Sequence, residues 1–141
     1  MNKYSIFDCC EIEVPEIKDD RGNLAVVQED IIPFEIKRFF FIYGVPNGKA
    51  RGGHAHKEQK TVLFAVNGSF EVTLQDGINT KTVLLDRPTK GLILQSGIWS
   101  VLENFNVGSV CLAVNSGVYD ESDYIRDLDT FLQSVALTQQ V

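Results

Sequence analysis

The chain has 141 residues, 44% of them hydrophobic, and a formal net charge of −6. That is enough apolar material for one ordinary domain over residues 1–141. The acidic balance argues against non-specific nucleic-acid binding but leaves room for an anionic small ligand held by local arginines. No stretch approaches the roughly 20 apolar residues of a membrane span, and the start Met1-Asn2-Lys3-Tyr4-Ser5-Ile6 lacks the apolar centre of a secretion signal. A cytoplasmic protein is expected, with no membrane or nucleic-acid partner.

In chain order, short β-like runs alternate with turn signals. Cys9 and Cys10 come first; with Cys111 they make three cysteines in no zinc-knuckle spacing, which reads as reduced thiols. A run at 24–27 follows the turn Asp19-Asp20-Arg21-Gly22-Asn23. At 36–43, Phe39, Phe41 and Tyr43 share one face and Arg38, Phe40 and Ile42 the other, before Val45-Pro46-Asn47-Gly48 closes the strand. The run 61–66 ends at Asn67-Gly68, a two-residue hairpin signal, and 70–74 alternates cleanly up to Asp76-Gly77. Further strands are expected at 81–85, 91–94, 100–102 and 107–114. Only 120–135 reads as helix, with Ile125, Leu128, Phe131 and Leu132 on one side and Asp120-Glu121-Ser122-Asp123 as its acidic start. Short strands at regular spacing with one terminal helix predict an all-β sandwich or barrel.

Both histidines lie in one segment, Arg51-Gly52-Gly53-His54-Ala55-His56-Lys57. On an extended strand residues i and i+2 share a face, so His54 and His56 present two imidazoles side by side. Such a strand can begin a metal site, which needs three or four ligands. Here no third histidine exists, Lys60 and Thr61 stand where a carboxylate is usual, and only Glu58 is left as an optional ligand. Without a metal, the pair reads as acid–base chemistry. One imidazole takes a proton from carbon beside a carbonyl, and the other imidazole or a tyrosine returns a proton elsewhere.

Tyr43 ends a neighbouring strand and either donates from its hydroxyl or is a half-buried aromatic with a wet tip. Arg51 suits an anion such as phosphate, and Gly52-Gly53 either let a ligand come close or form a bulge. Trp99, the one tryptophan, walls a pocket, stacks on a ligand or fills the core. Arg21 is a second candidate for phosphate or sugar, or else an ordinary solvated turn residue.

The His-Ala-His segment with its Arg-Gly, then Asn67-Gly68-Ser69-Phe70, Pro88-Thr89-Lys90-Gly91-Leu92 leading to Trp99, and the ending Tyr119-Asp120-Glu121-Ser122-Asp123-Tyr124-Ile125-Arg126-Asp127 with Phe131-Leu132 resemble the WxcM-like cupins. Within that group the chain is similar to the sugar 3,4-ketoisomerases acting on dTDP-4-keto-6-deoxyglucose. The resemblance implies a cupin jelly roll, metal-free catalysis with no cofactor, and a homodimer that exchanges N-terminal strands. It also implies a downstream PLP-dependent aminotransferase that turns the 3-keto sugar into a 3-amino-3,6-dideoxyhexose for surface polysaccharide. Carried over by position, the paired histidines fall on His54 and His56, the pocket tyrosine on Tyr43 and the arginine on Arg51. One departure stands out: relatives often carry glutamine near the positions of Lys60 and Thr61, whereas this chain has Gln59.

The expected reaction moves the carbonyl from C4 to C3. A histidine removes the C3 proton, C4 of the enediol is protonated, and a second histidine or Tyr43 shuttles the hydroxyl protons. His56 and Tyr43 are expected to stabilise the enediolate, Arg51 and Arg21 to hold the diphosphate, and Trp99 to lie near the nucleotide or sugar. A dTDP-sugar epimerase, a non-catalytic nucleotide-sugar-binding cupin and a metal-dependent oxygenase are the alternatives.

Overall fold

The structure, a computed structural model, describes residues 4–139; residues 1–3, part of the polar start, lie outside it. In chain order its strands are β1 (Glu11–Glu13), β2 (Glu16–Asp19), β3 (Gly22–Ala25), β4 (Arg38–Tyr43), β5 (Arg51–His56) and β6 (Thr61–Asn67). There follow β7 (Phe70–Gln75), β8 (Thr80–Leu85), β9 (Lys90–Leu94), β10 (Trp99–Glu103), β11 (Val110–Asn115) and β12 (Tyr124–Ile125), and then the helix α1 (Leu128–Gln139). One antiparallel sheet runs β1-β9-β6-β11-β4, a second β12-β5-β10-β7-β8, and β2-β3 form a separate hairpin. This is the expected all-β jelly roll with a short C-terminal helix.

Strand alternation explains how the layers stack. On β7 the burial alternates residue by residue, and Phe70, Val72 and Leu74 point inward. They meet Leu63, Ala65, Leu92 and Cys111 of the first sheet in a core between the sheets. Strand β6 is buried on both faces, because its outward Val62 and Phe64 are covered by Val14 and Ile32 from the N-terminal third. The outer face of the second sheet buries Ala55, Trp99 and Ile125 beneath Phe131 and Val135 of α1.

Two expectations need correction. The helix begins at Leu128 rather than near Asp120: residues 121–123 form a single 3-10 turn, and Tyr124 and Ile125 pair as β12 with His56 and Ala55. Ile125 is therefore a strand residue under the helix rather than part of its apolar stripe. Asp127 caps α1 instead, accepting from Thr130 N and Oγ1 at 2.9 Å each. The short strands β1 and β2 were also unanticipated, since Glu11-Ile12-Glu13 and Glu16-Ile17-Lys18-Asp19 are mostly charged. They are mainly exposed strands held by backbone pairing, which leaves no apolar period to read.

Candidate active site

The paired histidines sit at one end of the space between the sheets. Strand β5 carries one residue more than its partner, because Ser100 pairs with His54 and Val101 with Gly52, leaving Gly53 bulged. Gly52 and Gly53 have φ of +88° and +76°, values that side chains other than hydrogen adopt at a cost. The bulge has a chemical consequence. Arg51 and His54 are three residues apart and would point to opposite faces of a regular strand. The extra residue puts them on the same side, and Arg51 pairs with the inward Leu102. A cavity of about 380 Å³ is thus lined by Arg51, His54 and His56 from β5, Phe40 from β4, Tyr124 from β12 and Arg126 just after it.

The two imidazoles meet edge to face with centroids 5.2 Å apart, and the Tyr124 ring lies 5.0 Å from His54 and 4.5 Å from His56. His56 Nδ1 is 2.8 Å from the Oδ2 of Asp123, a carboxylate only 7% exposed. The other oxygen of Asp123 accepts from Glu58 N at 2.8 Å. A carboxylate at Nδ1 sets the tautomer, so Nδ1 donates and Nε2 keeps its lone pair for the cavity. The Nδ1 of His54 is buried without a hydrogen-bond partner. Arg126 forms a two-point bond with Glu121, at 2.6 and 2.9 Å, and lies over the face of Tyr124 at 4.2 Å.

Burial, then the neighbouring His56 and Arg126, push the His54 imidazole down to about 4. Burial also lowers His56, opposed by Asp123 and reinforced by Arg38 and Arg126. Both rings are therefore neutral and able to accept a proton near neutral pH. In the unfolded chain histidine titrates near 6.5, so below that pH the unfolded state binds more protons. Stability is full above about 6.5 and falls as pH drops toward 4, with His54 contributing at most about 3 kcal/mol. Urea titrations from pH 8 to 4 are expected to show this loss, and to show a shallower one in a His54→Gln variant. Parallel curves for the two proteins would overturn the assignment.

The structure does not bring all the sequence candidates together. Tyr43 is 75% exposed and does not line the cavity: Phe40 and Ile42 do, so the face of β4 bearing Phe39, Phe41 and Tyr43 is the outer one. Trp99 is a core residue. Ser100 and Leu102 of β10 face the cavity, while Trp99 points the other way, with its ring centroid 5.7 Å from that of Phe131. Arg21 lies in the β2–β3 turn, bonded at 2.7 Å to Asp19, and lines no part of the cavity in this chain. Glu58 lies past the end of β5 and is exposed; among the described residues no group of three His, Cys, Asp or Glu has metal-holding geometry. Gln59 bridges Arg38, 3.1 Å away, and the Val118 carbonyl, 2.8 Å away, while Thr61 reaches the cavity and Lys60 turns to the Tyr4 hydroxyl at 2.8 Å.

Sequence reasoning missed Asp123, Tyr124 and Arg126. The signal available was the run Asp123-Tyr124-Ile125-Arg126 itself, which places a carboxylate, a phenol and a cation at alternating and adjacent positions. Read as helix, it scatters them; as a strand beside β5, it puts Tyr124 opposite His56.

Residues 7–136 match the family described as FdtA: WxcM-like, C-terminal. This chain belongs to that WxcM-like family. A relative from Aneurinibacillus thermoaerophilus, TDP-4-oxo-6-deoxy-alpha-D-glucose-3,4-oxoisomerase, is 38% identical over 126 residues, covering 89% of this chain and 91% of that protein. Among solved structures, a 3,4-ketoisomerase from Helicobacter canadensis superposes with a TM-score of 0.89 at 40% identity, covering 92% of this chain and 98% of the other. The sugar 3,4-ketoisomerase QdtA from Thermoanaerobacterium thermosaccharolyticum, solved in complex with TDP, gives 0.91 at 32% identity, covering 94% and 98%. The WxcM-like family match, residues 7–136, includes the histidine strand.

Proposed function

We propose that this protein is a sugar 3,4-ketoisomerase that moves the carbonyl of a dTDP-4-keto-6-deoxyhexose from C4 to C3. The observation carrying this reading is the pair of neutral imidazoles facing one cavity, one of them oriented by a buried carboxylate, in a chain whose relatives are 3,4-ketoisomerases. His56 Nε2 takes the C3 proton, and Asp123 stabilises the imidazolium that forms. The resulting enediolate bears its charge on O4 and is stabilised by donors already fixed in place. Returning a proton to C4 and transferring the hydroxyl proton from O3 to O4 completes the 3-keto product. No net proton is gained or lost.

Arg51 at the rim is the diphosphate contact, since guanidinium matches phosphate oxygens in charge and geometry. Replacing it (Arg51→Ala) is expected to raise the dissociation constant for dTDP about tenfold by calorimetry, the loss of one exposed charge-assisted contact; unchanged affinity would remove Arg51 from the site.

The reading extends to a homodimer. The β2–β3 hairpin is exposed at all eight positions, and Ile17 and Leu24 stand directly opposite each other at 58% and 55% exposure. Phe39, Phe41 and Tyr43 add an uncovered aromatic face on β4. Such surface is covered most simply by a second copy exchanging N-terminal strands, and a monomer mass in sedimentation would refute this. The 3-keto product is the substrate form that a PLP-dependent aminotransferase needs to install a 3-amino group, for a surface-polysaccharide sugar.

The decisive experiment is proton NMR of dTDP-4-keto-6-deoxyglucose with the protein in D2O. Carbonyl migration to C3 with deuterium at C4 is expected. Exchange at C3 without migration would indicate an epimerase instead, and an untouched substrate a binding protein.

A further inference from the structure

Tyr43, the tyrosine expected to move hydroxyl protons, lies on the outer face of β4, and the β4 residues that line the cavity are Phe40 and Ile42, neither of which has a hydroxyl. Yet the enediolate route requires a proton to leave O3 and another to reach O4. His56 is committed to the C3 proton, and its Nδ1 to Asp123. Among the described residues lining the cavity, Tyr124 is the only phenol. It contacts both imidazoles, and its backbone is fixed by pairing with His56. The Arg126 guanidinium covers its ring and is itself anchored by two bonds to Glu121, which also accepts from the Tyr119 hydroxyl at 2.7 Å. The ring is thus held from both sides. Among the described residues its own hydroxyl has no hydrogen-bond partner, which leaves it free for a substrate oxygen.

We propose that Tyr124 is a catalytic residue of the 3,4-isomerisation, relaying the hydroxyl proton between the two substrate oxygens. This inference rests on the ketoisomerase reading. In the first step His56 takes H3, giving an enediolate with O4 negative and O3 protonated. The phenol then gives its proton to O4 and receives the O3 proton, so the tyrosine ends as it began and the charge moves to O3. Protonation of C4 collapses the O3 enediolate to the C3 ketone. Every bond broken is matched by one formed, and no further reactant is needed.

The relay lies after C3–H cleavage, and this makes it separable. In a Tyr124→Phe variant the ring packing between the imidazoles and Arg126 is retained and only the hydroxyl is lost. In D2O this variant is expected to go on incorporating deuterium at C3 of recovered substrate at near the wild-type rate. Carbonyl migration falls about 100-fold, the usual scale for one proton-transfer group. Unfolding by urea and binding of dTDP serve as controls and are expected to match wild type. Migration at the wild-type rate would overturn the proposal. So would an equal loss of exchange and migration, because the phenol would then be acting in the first step or only in packing. Failure of the underlying reading looks different: wild-type protein itself would show no migration.

Discussion

An Asp123→Asn substitution is expected to leave the fold standing and to lower turnover by about three orders of magnitude. The retained Oδ1 can still accept from Glu58 N, as Asp123 does at 2.8 Å, so the turn before β12 keeps its anchor. The new amide presents N–H to His56 Nδ1, where a carboxylate oxygen now sits at 2.8 Å. Two donors cannot share that contact, so the imidazole proton moves to Nε2. The nitrogen facing the cavity becomes a donor, the wrong form for removing a carbon-bound proton. The imidazolium formed in the first step also loses its counter-charge, and a positioned base is worth roughly 10²–10⁴.

The pH profile separates this from simple damage. Asp123 opposes the burial that lowers His56, so its removal moves the acid limb of kcat/KM to lower pH while the plateau drops. A lower plateau with an unmoved limb, or a rate within tenfold of wild type, would show that Asp123 does not act through His56.

The second large effect concerns stability. Phe131→Ala is expected to cost about 3–5 kcal/mol, measured by urea unfolding. Phe131 is fully buried and is the aromatic centre of the cluster joining α1 to Ala55, Trp99 and Ile125. Ala55 lies between the two histidines and Ile125 follows Tyr124, so this cluster backs the cavity-lining residues from the opposite side of the sheet. The two substitutions are therefore opposite in kind, Asp123→Asn striking rate and Phe131→Ala striking folding. A loss below about 1 kcal/mol for Phe131→Ala would mean that α1 does not pack on the second sheet as described.

Much of this molecule is legible in its residues. The runs that became β6, β7, β8 and β9 alternate or carry turn signals strongly enough to be placed within a residue or two. His54 and His56 share a face for purely local reasons, because the strand period is two. Their neighbour Arg51 joins them only because Gly52-Gly53 forms a bulge, one of two options the glycines left open.

What remained hidden was which face of a strand looks inward. On β4 both faces are aromatic, Phe39, Phe41 and Tyr43 against Phe40 with Ile42, so hydrophobicity does not choose between them, and Tyr43 falls on the outer one. Trp99 posed the same problem on β10, since the sheet is buried on both faces once α1 covers it. The Asp123–Arg126 run misleads for a related reason: its apolar spacing continues into a true helix, while the pairing that makes it a strand is with His56 and Ala55 of β5, far back in the chain. Local periodicity, turn chemistry and the pairing of the two histidines on one strand face were thus determined by the sequence by itself. The inward face, the carboxylate behind His56 and the phenol beside it were decided by tertiary structure, because each depends on what a distant strand or helix covers.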